Sequence, residues 1–360
     1  MPDNSPNSPL TDLRNLTLKE LTDFIVELGE PKFRARQIFS WLYRPQISSF
    51  SEMTNLALTF RARLQDIARL SSLQVDKRQE ANDGTVKYAF KLADNALIES
   101  VLIPDDNRHT LCVSSQVGCA MGCAFCLTGT MGLRRNLTAA EIVNQVIHVR
   151  NELEAKTNGK GRINNLVFMG MGEPLANYDN LRRALDILTD DNGLDFSQRR
   201  ITVSTCGLVP KIEQLGAETK VNLAISLHAA DNETRSRLLP INQTYDIDAL
   251  LQACRAYPLP KRRRIMIEYV LLAGINDRPG DARRLIKILH KLRCKINLLP
   301  CNETEALPFK RPERAVVEKF QHILQEAGYT AIIRESRGAE ISAACGQLAN
   351  KRPGNCHQTT

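Results

Sequence analysis

From about residue 110 onward, short β-rich runs recur with helix-patterned stretches between them. The runs are TLCVSS, NNLVFMGMG, RITVSTCG, VNLAISLHA, RIMIEYVLL, KINLLPCN and TAIIRES. Roughly 20 to 55 residues separate successive runs, room for a helical crossover each time. A chain built this way makes an α/β sheet of parallel strands, closed or partly closed into a barrel, and not a sandwich. In such folds chemistry gathers at the C-terminal ends of the strands. The polar residues following the runs are therefore the first candidates for a site.

Residues before this repeat have other periods. The N-terminus, MPDNSPNSPL, is rich in Pro, Asn and Ser, and residues 1 to 15 are expected to fray. Order is expected from TLKE, where Thr17 and Glu20 make a capping box and Leu18, Leu21, Ile25 and Leu28 give one apolar face ending at Gly29. A second helix begins near Pro31 and turns Ala35, Ile38, Phe39 and Leu42 inward, leaving Lys32, Arg34, Arg36 and Arg44 outside. A third amphipathic stretch spans roughly 53 to 70. TVKYAFKL then alternates as a half-buried strand, and LIESVLIP reads as its hairpin partner after the turn ADN. The resulting domain expectation is a helical accessory module at 1–75, a β-hairpin connector at 76–104, the repeat core at 105–343 and a C-terminal segment at 344–360.

Composition narrows the class of protein. No apolar segment follows the N-terminus, and runs such as YVLLAGI fall far short of a membrane span, so a cytoplasmic protein without membrane contact is expected. Ten cysteines without an export signal are read as reduced thiols. An excess of 48 Lys and Arg over 40 Asp and Glu favours a polyanionic partner. Clusters sharpen that charge locally: KFRARQ at 32–37, LRRN at 133–136, QRR at 198–200 and KRRR at 261–264.

The densest chemical signal is VGCAMGCAFCLTG, directly after the first repeat strand, with Cys119, Cys123 and Cys126 spaced Cys-x3-Cys-x2-Cys. A structural zinc site takes four ligands, so it would need a remote fourth such as Cys112. An iron–sulfur cubane on three thiolates instead leaves one iron free to chelate a small molecule. Spacing and position resemble the radical S-adenosylmethionine (SAM) superfamily, and the resemblance implies a [4Fe-4S] cluster whose fourth iron binds SAM. Gly172 and Glu173 of GMGEP look like that superfamily's contact to the SAM amino group. Ser204, the run Ser226, Leu227 and His228, and Asn302 stand at three further strand ends and read together as the wall of a ligand pocket.

The likeness becomes closer in LCVSSQVGCAMGCAFC, FMGMGEPLANYDN, SLHA and RESRGAEISAACGQL, and in the N-terminal FRARQIFSWLY. From about Leu16 to Leu348 the chain resembles the radical SAM methyltransferases that modify adenine carbon 2 in ribosomal and transfer RNA. The fold implied is a radical-SAM partial (β/α)6 barrel with a small N-terminal helical accessory domain and a β-hairpin connector. Adenine carbon 2 is electron-poor and does not attack the methyl group of SAM. The family solution methylates a protein thiolate first, here Cys345, using one SAM in a displacement. A second SAM is cleaved to a radical that activates the S-methyl group for addition to the ring. Glu99 matches the family's general base and Cys112 the thiol that releases product as a disulfide forms.

The implied partners are 23S rRNA, tRNA and an electron donor such as flavodoxin or ferredoxin, and the implied state is a monomer. The reacting adenine must leave its stack or be presented in a loop. Three other readings remain open at this point: the carbon 8 branch of the same family, a non-methylating radical enzyme, and a zinc-stabilised RNA-binding protein.

Overall fold

The structure, a computed structural model, describes residues 10–106 and 108–348. Residues 1–9 of the stretch expected to fray, and residues 349–360 of the C-terminal segment with Cys356, lie outside the described residues.

Three helices form the N-terminal module: α1 (Leu18–Glu27), α2 (Phe33–Leu42) and α3 (Leu58–Ile67). The capping box closes as the sequence predicts, with Thr17 Oγ1 accepting from the Glu20 N–H and Glu20 Oε2 accepting from the Thr17 N–H. Ala35, Ile38, Phe39 and Leu42 are buried along one face of α2. Residues 10–15 correct the expectation of fraying. Thr11–Asp12 pair in parallel with Ala68–Arg69, and Leu13 and Arg14 are buried. The Arg14 guanidinium donates to the carbonyls of Leu42, Ile47 and Ser71. The carbonyls ending a helix have no partner within it, so a buried arginine there both fills space and satisfies them.

The remaining chain builds one ten-stranded sheet whose strands lie side by side in strict chain order. These are β1 (Gln74–Glu80), β2 (Val86–Lys91), β3 (Leu97–Asp105), β4 (Arg108–Cys112), β5 (Ile163–Phe168), β6 (Ile201–Thr205), β7 (Asn222–Ser226), β8 (Ile265–Leu271), β9 (Cys294–Pro300) and β10 (Ala331–Ile333). Strands β1 to β4 are antiparallel neighbours, and β4 to β10 are parallel neighbours. Parallel neighbours need crossovers, supplied by α4 (Ala139–Lys156), α5 (Tyr178–Thr189), α6 (Val209–Glu218), α7 (Asn232–Leu238), α8 (Ile247–Ala256), α9 (Pro279–Ile288) and α10 (Arg314–Glu326). Right-handed crossovers between strands in sequential order place the helices on one face of the sheet. Six full-length parallel strands carry the barrel core, and the three-residue β10 extends it.

The hairpin β2–β3 forms in register Val86↔Leu102 to Lys91↔Leu97. A third strand, β1, joins it, making a meander where the sequence led us to expect two strands. Its residues QVDKRQE are polar on both faces, so periodicity could not announce it. Strand β2 is also buried on both faces, not half-buried. Tyr88 and Phe90 pack against His148 of α4, while Lys87 on the opposite face donates to the Ser342 carbonyl of the C-terminal segment. Among the described residues no helix is long and apolar enough to cross a membrane.

Candidate active site

The chain leaves β4 and forms a loop pinched at its base, where Gln116–Gly118 pairs antiparallel with Leu133–Asn136. Gly118 makes the pinch possible. Its φ is +78°, and a Cβ there would lie 1.9 Å from the Gly132 carbonyl oxygen. Beyond the pinch Cys119, Cys123 and Cys126 all face one cavity at the C-terminal ends of the strands. The loop is fastened at three points: Cys119 N–H to Gly132 O at 2.9 Å, Ala124 N–H to Leu238 O at 2.9 Å, and Leu127 N–H to Gly346 O at 2.8 Å. Among the described residues no three His, Cys, Asp or Glu side chains converge as tightly as a single metal ion requires. Burial pushes the Cys119 thiol up to about 11 and the Cys123 thiol higher still, so as free groups both stay protonated at neutral pH. Binding to a metal centre would displace those protons.

Glu173 follows β5 and reaches the same cavity. Its carboxylate accepts from the backbone N–H groups of Leu175 at 3.1 Å and Cys206 at 2.9 Å, and its own N–H donates to Gln116 Oε1 at 2.8 Å. Burial raises its pKa while those N–H groups oppose the shift. Gly172, at φ +98°, permits the close turn: a Cβ there would come within 2.5 Å of Gln116 Cβ. The result is an aimed, largely desolvated carboxylate suited to a ligand ammonium.

Ser204, Ser226, His228 and Asn302 line the cavity from β6, β7 and the exit of β9. His228 Nδ1 accepts from the Val270 N–H at 2.9 Å, and burial, with Arg235 nearby, holds the imidazole down at about 3. A backbone N–H can only donate, so the neutral ring carries its proton on Nε2, available as a donor. Leu227 is placed differently. It is fully buried in the core and off the cavity wall, its N–H donates to Glu268 O, and its carbonyl accepts from Arg235 and Ala229.

Cys345 lies on a strap that crosses the cavity after β10. Asn82 of the meander donates to Glu340, Lys87 Nζ donates to Ser342 O at 3.2 Å, and Asn302 Nδ2 donates to Cys345 O at 3.3 Å. Thr128 Oγ1 holds Leu348 O at 2.6 Å. The Cys345 side chain is exposed, but the surface it exposes is cavity wall. Enclosure by protein raises its thiol pKa, and Arg334 opposes the shift.

Glu99 and Cys112 stand beside the cavity, not on its wall. Val101 pairs with Cys112, and residues two apart on a strand share a face, so both point to the same side as cavity-lining Ile103. Burial pushes the Cys112 thiol up to about 12, and Cys345 is near enough to raise it further. The buried Glu99 carboxylate meets Lys87 Nζ at 3.4 Å, and its backbone carbonyl accepts from Ser114 Oγ at 2.6 Å.

Two site residues escaped the sequence reading. Arg235 of α7, fully buried, donates to the carbonyls of Cys206, Ser226 and Leu227 and to Asn242 Oδ1, tying together the ends of β6 and β7. Glu268 of β8 lines the cavity, accepts from Asn297 Nδ2 at 3.0 Å, and is pushed by burial up to about 7. A single carboxylate inside the apolar run RIMIEYVLL was the available signal.

Glu268 yields a prediction. Its folded pKa of about 7 exceeds the ordinary 4.5, so folding favours the protonated form. Its contribution to stability is fully present below the unfolded value and is lost as pH rises through the folded one. Glu268→Gln does not titrate, so relative to the native protein it gains about 3 kcal/mol between acidic and mildly alkaline pH. Urea unfolding of both proteins at pH 5 and pH 8 measures this, and a difference independent of pH refutes it.

The donor set fits a [4Fe-4S] cluster with SAM beside it: three thiols on one cavity, an aimed carboxylate, a glycine turn with no room for a side chain, and hydroxyl, imidazole and amide groups at the ends of β6, β7 and β9. Known proteins agree. Residues 11–70 match the Ribosomal RNA large subunit methyltransferase N-terminal domain, and residues 113–286 match the Radical SAM superfamily. The chain is 53% identical over 347 residues to the Dual-specificity RNA methyltransferase RlmN of Desulfotalea psychrophila, covering 95% of this chain and 96% of that protein. It is 52% identical over 342 residues to the protein of the same name from Geobacter sulfurreducens, with 95% and 93% covered. A solved radical SAM methyltransferase from Sphaerobacter thermophilus shares the fold at a TM-score of 0.87 and 45% identity, over 94% of this chain and 99% of that one. Likeness of this depth, end to end and through both the helical module and the cysteine loop, makes the chain a member of the radical SAM RNA methyltransferase family RlmN.

Proposed function

We propose that this SAM-dependent RNA methyltransferase methylates carbon 2 of an adenosine in 23S rRNA and in tRNA, through an S-methylcysteine on Cys345 and two SAM molecules per turnover. The observation that carries this reading is the strap, which holds Cys345 at the cavity faced by Cys119, Cys123 and Cys126. An electron-poor ring carbon requires a methyl group activated on a carrier, and a cysteine fixed on that wall is such a carrier.

Cys119, Cys123 and Cys126 would hold the cluster, and Gly172, Glu173, Ser204, Ser226, His228 and Asn302 would surround SAM, with Leu227 packed behind that wall. When bound, this pair supplies the one-electron chemistry that an unactivated S-methyl group requires. Cys345 provides the sulfur nucleophile for the first methyl transfer; one C–H bond of the S-methyl group is then broken by that one-electron chemistry, its carbon bonds to adenine carbon 2, and once carbon 2 has given up a proton and the adduct one electron, RNA is tethered to the protein. Glu99, oriented by Lys87, accepts the carbon 2 proton. Cys112 gives up its thiol proton and attacks the Cys345 sulfur, the sulfur–carbon bond breaks, the released carbon takes up a proton to become the product's methyl group, and the disulfide is reduced for the next cycle. The helical module at 1–75 binds RNA, the connector at 76–104 joins it to the core at 105–343, and residues 344–360 carry the methyl-accepting thiol. The enzyme works as a cytoplasmic monomer with flavodoxin or ferredoxin as electron donor.

Anaerobic incubation with labelled SAM and RNA, followed by nucleoside analysis, tests the reading. The expected product is 2-methyladenosine. An exclusively carbon 8 product overturns the assignment in favour of the sister branch.

A further inference from the structure

The end of the sheet remote from the cavity carries a second concave site. Lys261, Arg263 and Arg264 directly precede β8, Arg293 directly precedes β9, and Tyr329 lies just before β10. Together they line one hollow at the N-terminal ends of these strands. Among the described residues no carboxylate lines it. Among the described residues none of these four cations has an ion-pair partner, and neither does neighbouring Lys220, whereas Arg183 is paired with Glu20 and Arg311 and Arg314 with Glu335.

Two of the guanidinium groups are also held in place. Arg263 donates to the Lys220 carbonyl, and Arg293 donates to the carbonyls of Lys261 at 2.9 Å and Leu259 at 3.4 Å. Side chains fixed in this way lose little entropy when an anion arrives, and the planar guanidinium matches phosphate oxygens. Concentrated, uncompensated positive charge in a hollow attracts a polyanion.

We propose that this hollow binds the phosphodiester backbone of the RNA substrate at a segment distant from the modified adenosine. The inference rests on RNA being the substrate. Strands β8 and β9 are seven residues each, about 20 Å long at ~3.3 Å per residue, and they separate the hollow from the cavity. One short stem–loop seated at the cavity therefore leaves the hollow empty, and a long or folded RNA fills both. The same separation argues against an acidic electron-donor protein at this end, because electrons delivered there would have to cross the length of the sheet to reach the cysteine loop. Tyr329 adds an aromatic face among the cations, a combination suited to nucleic acid.

The test uses Lys261→Gln/Arg264→Gln, whose side chains make no hydrogen bond within the described protein, so folding is spared. Its affinity for a 23S rRNA fragment of several hundred nucleotides is expected to fall about tenfold, and the log–log salt dependence to flatten by about 1.5, as for the loss of two phosphate contacts. Methylation of a minimal stem–loop is expected to match the unsubstituted enzyme. That arm separates the two ideas: a stem–loop that is never methylated by either enzyme defeats the proposed function, not the hollow. Equal weakening of long and short RNA, or no weakening of either, overturns the proposal. So does slower cluster reduction by flavodoxin with unchanged RNA affinity, which would give the hollow to a protein partner.

Discussion

Replacing Cys345 with alanine leaves iron and labile sulfide at native levels and lowers RNA methylation by at least about four orders of magnitude, the scale of losing a covalent nucleophile. The two outcomes separate because Cys345 contributes nothing to the Cys119, Cys123 and Cys126 set, although its strap touches their loop through Leu127 and Thr128. Cys112→Ala behaves differently. Its base is still methylated but not released, so a covalent protein–RNA species accumulates and appears as a retarded band under denaturing conditions. Full methyl transfer by Cys345→Ala would remove the covalent route altogether.

Arg235→Ala is expected to cost about 3–5 kcal/mol of folding stability, read from urea midpoints of the protein without RNA. Four acceptors converge on that guanidinium inside the core: the carbonyls of Leu227, Cys206 and Ser226, and Asn242 Oδ1. Removal takes this donor from all four, and Leu227 O keeps the Ala229 N–H. Arg235→Lys recovers little, since one ammonium cannot span a fan of acceptors set out for a planar fork. A native midpoint in Arg235→Ala would show that the acceptors find other donors at little cost.

Much of the site was legible because its residues follow strand ends, and strand ends are marked by apolar runs breaking off. Cys119, Glu173, Ser204, Ser226 and Asn302 were found in this way, and all line the cavity. Arg235 was not, because it lies on a short polar helix whose sequence, NETRSRL, looks solvated. Its role follows from carbonyls brought together only in the folded chain. Glu268 is hidden by the opposite effect, a charge inside an apolar strand that a hydropathy reading passes over. Strand β1 has no periodic signal, being a polar sheet edge. Arg14 shows the same limit: nothing in DLRNL says that a helix C-terminus will lie within reach of its guanidinium.

The sheet ends at β10 on one side and β1 on the other, and these two edges do not pair with each other. The strap after β10 stands across that gap: Gly338 N–H donates to Asp83 Oδ2 at 3.0 Å, Asn82 donates to Glu340, and Lys87 Nζ donates to Ser342 O. Irregular chain thus takes the place that a strand ladder would fill in a closed cylinder, and the same segment brings Cys345 to the cavity.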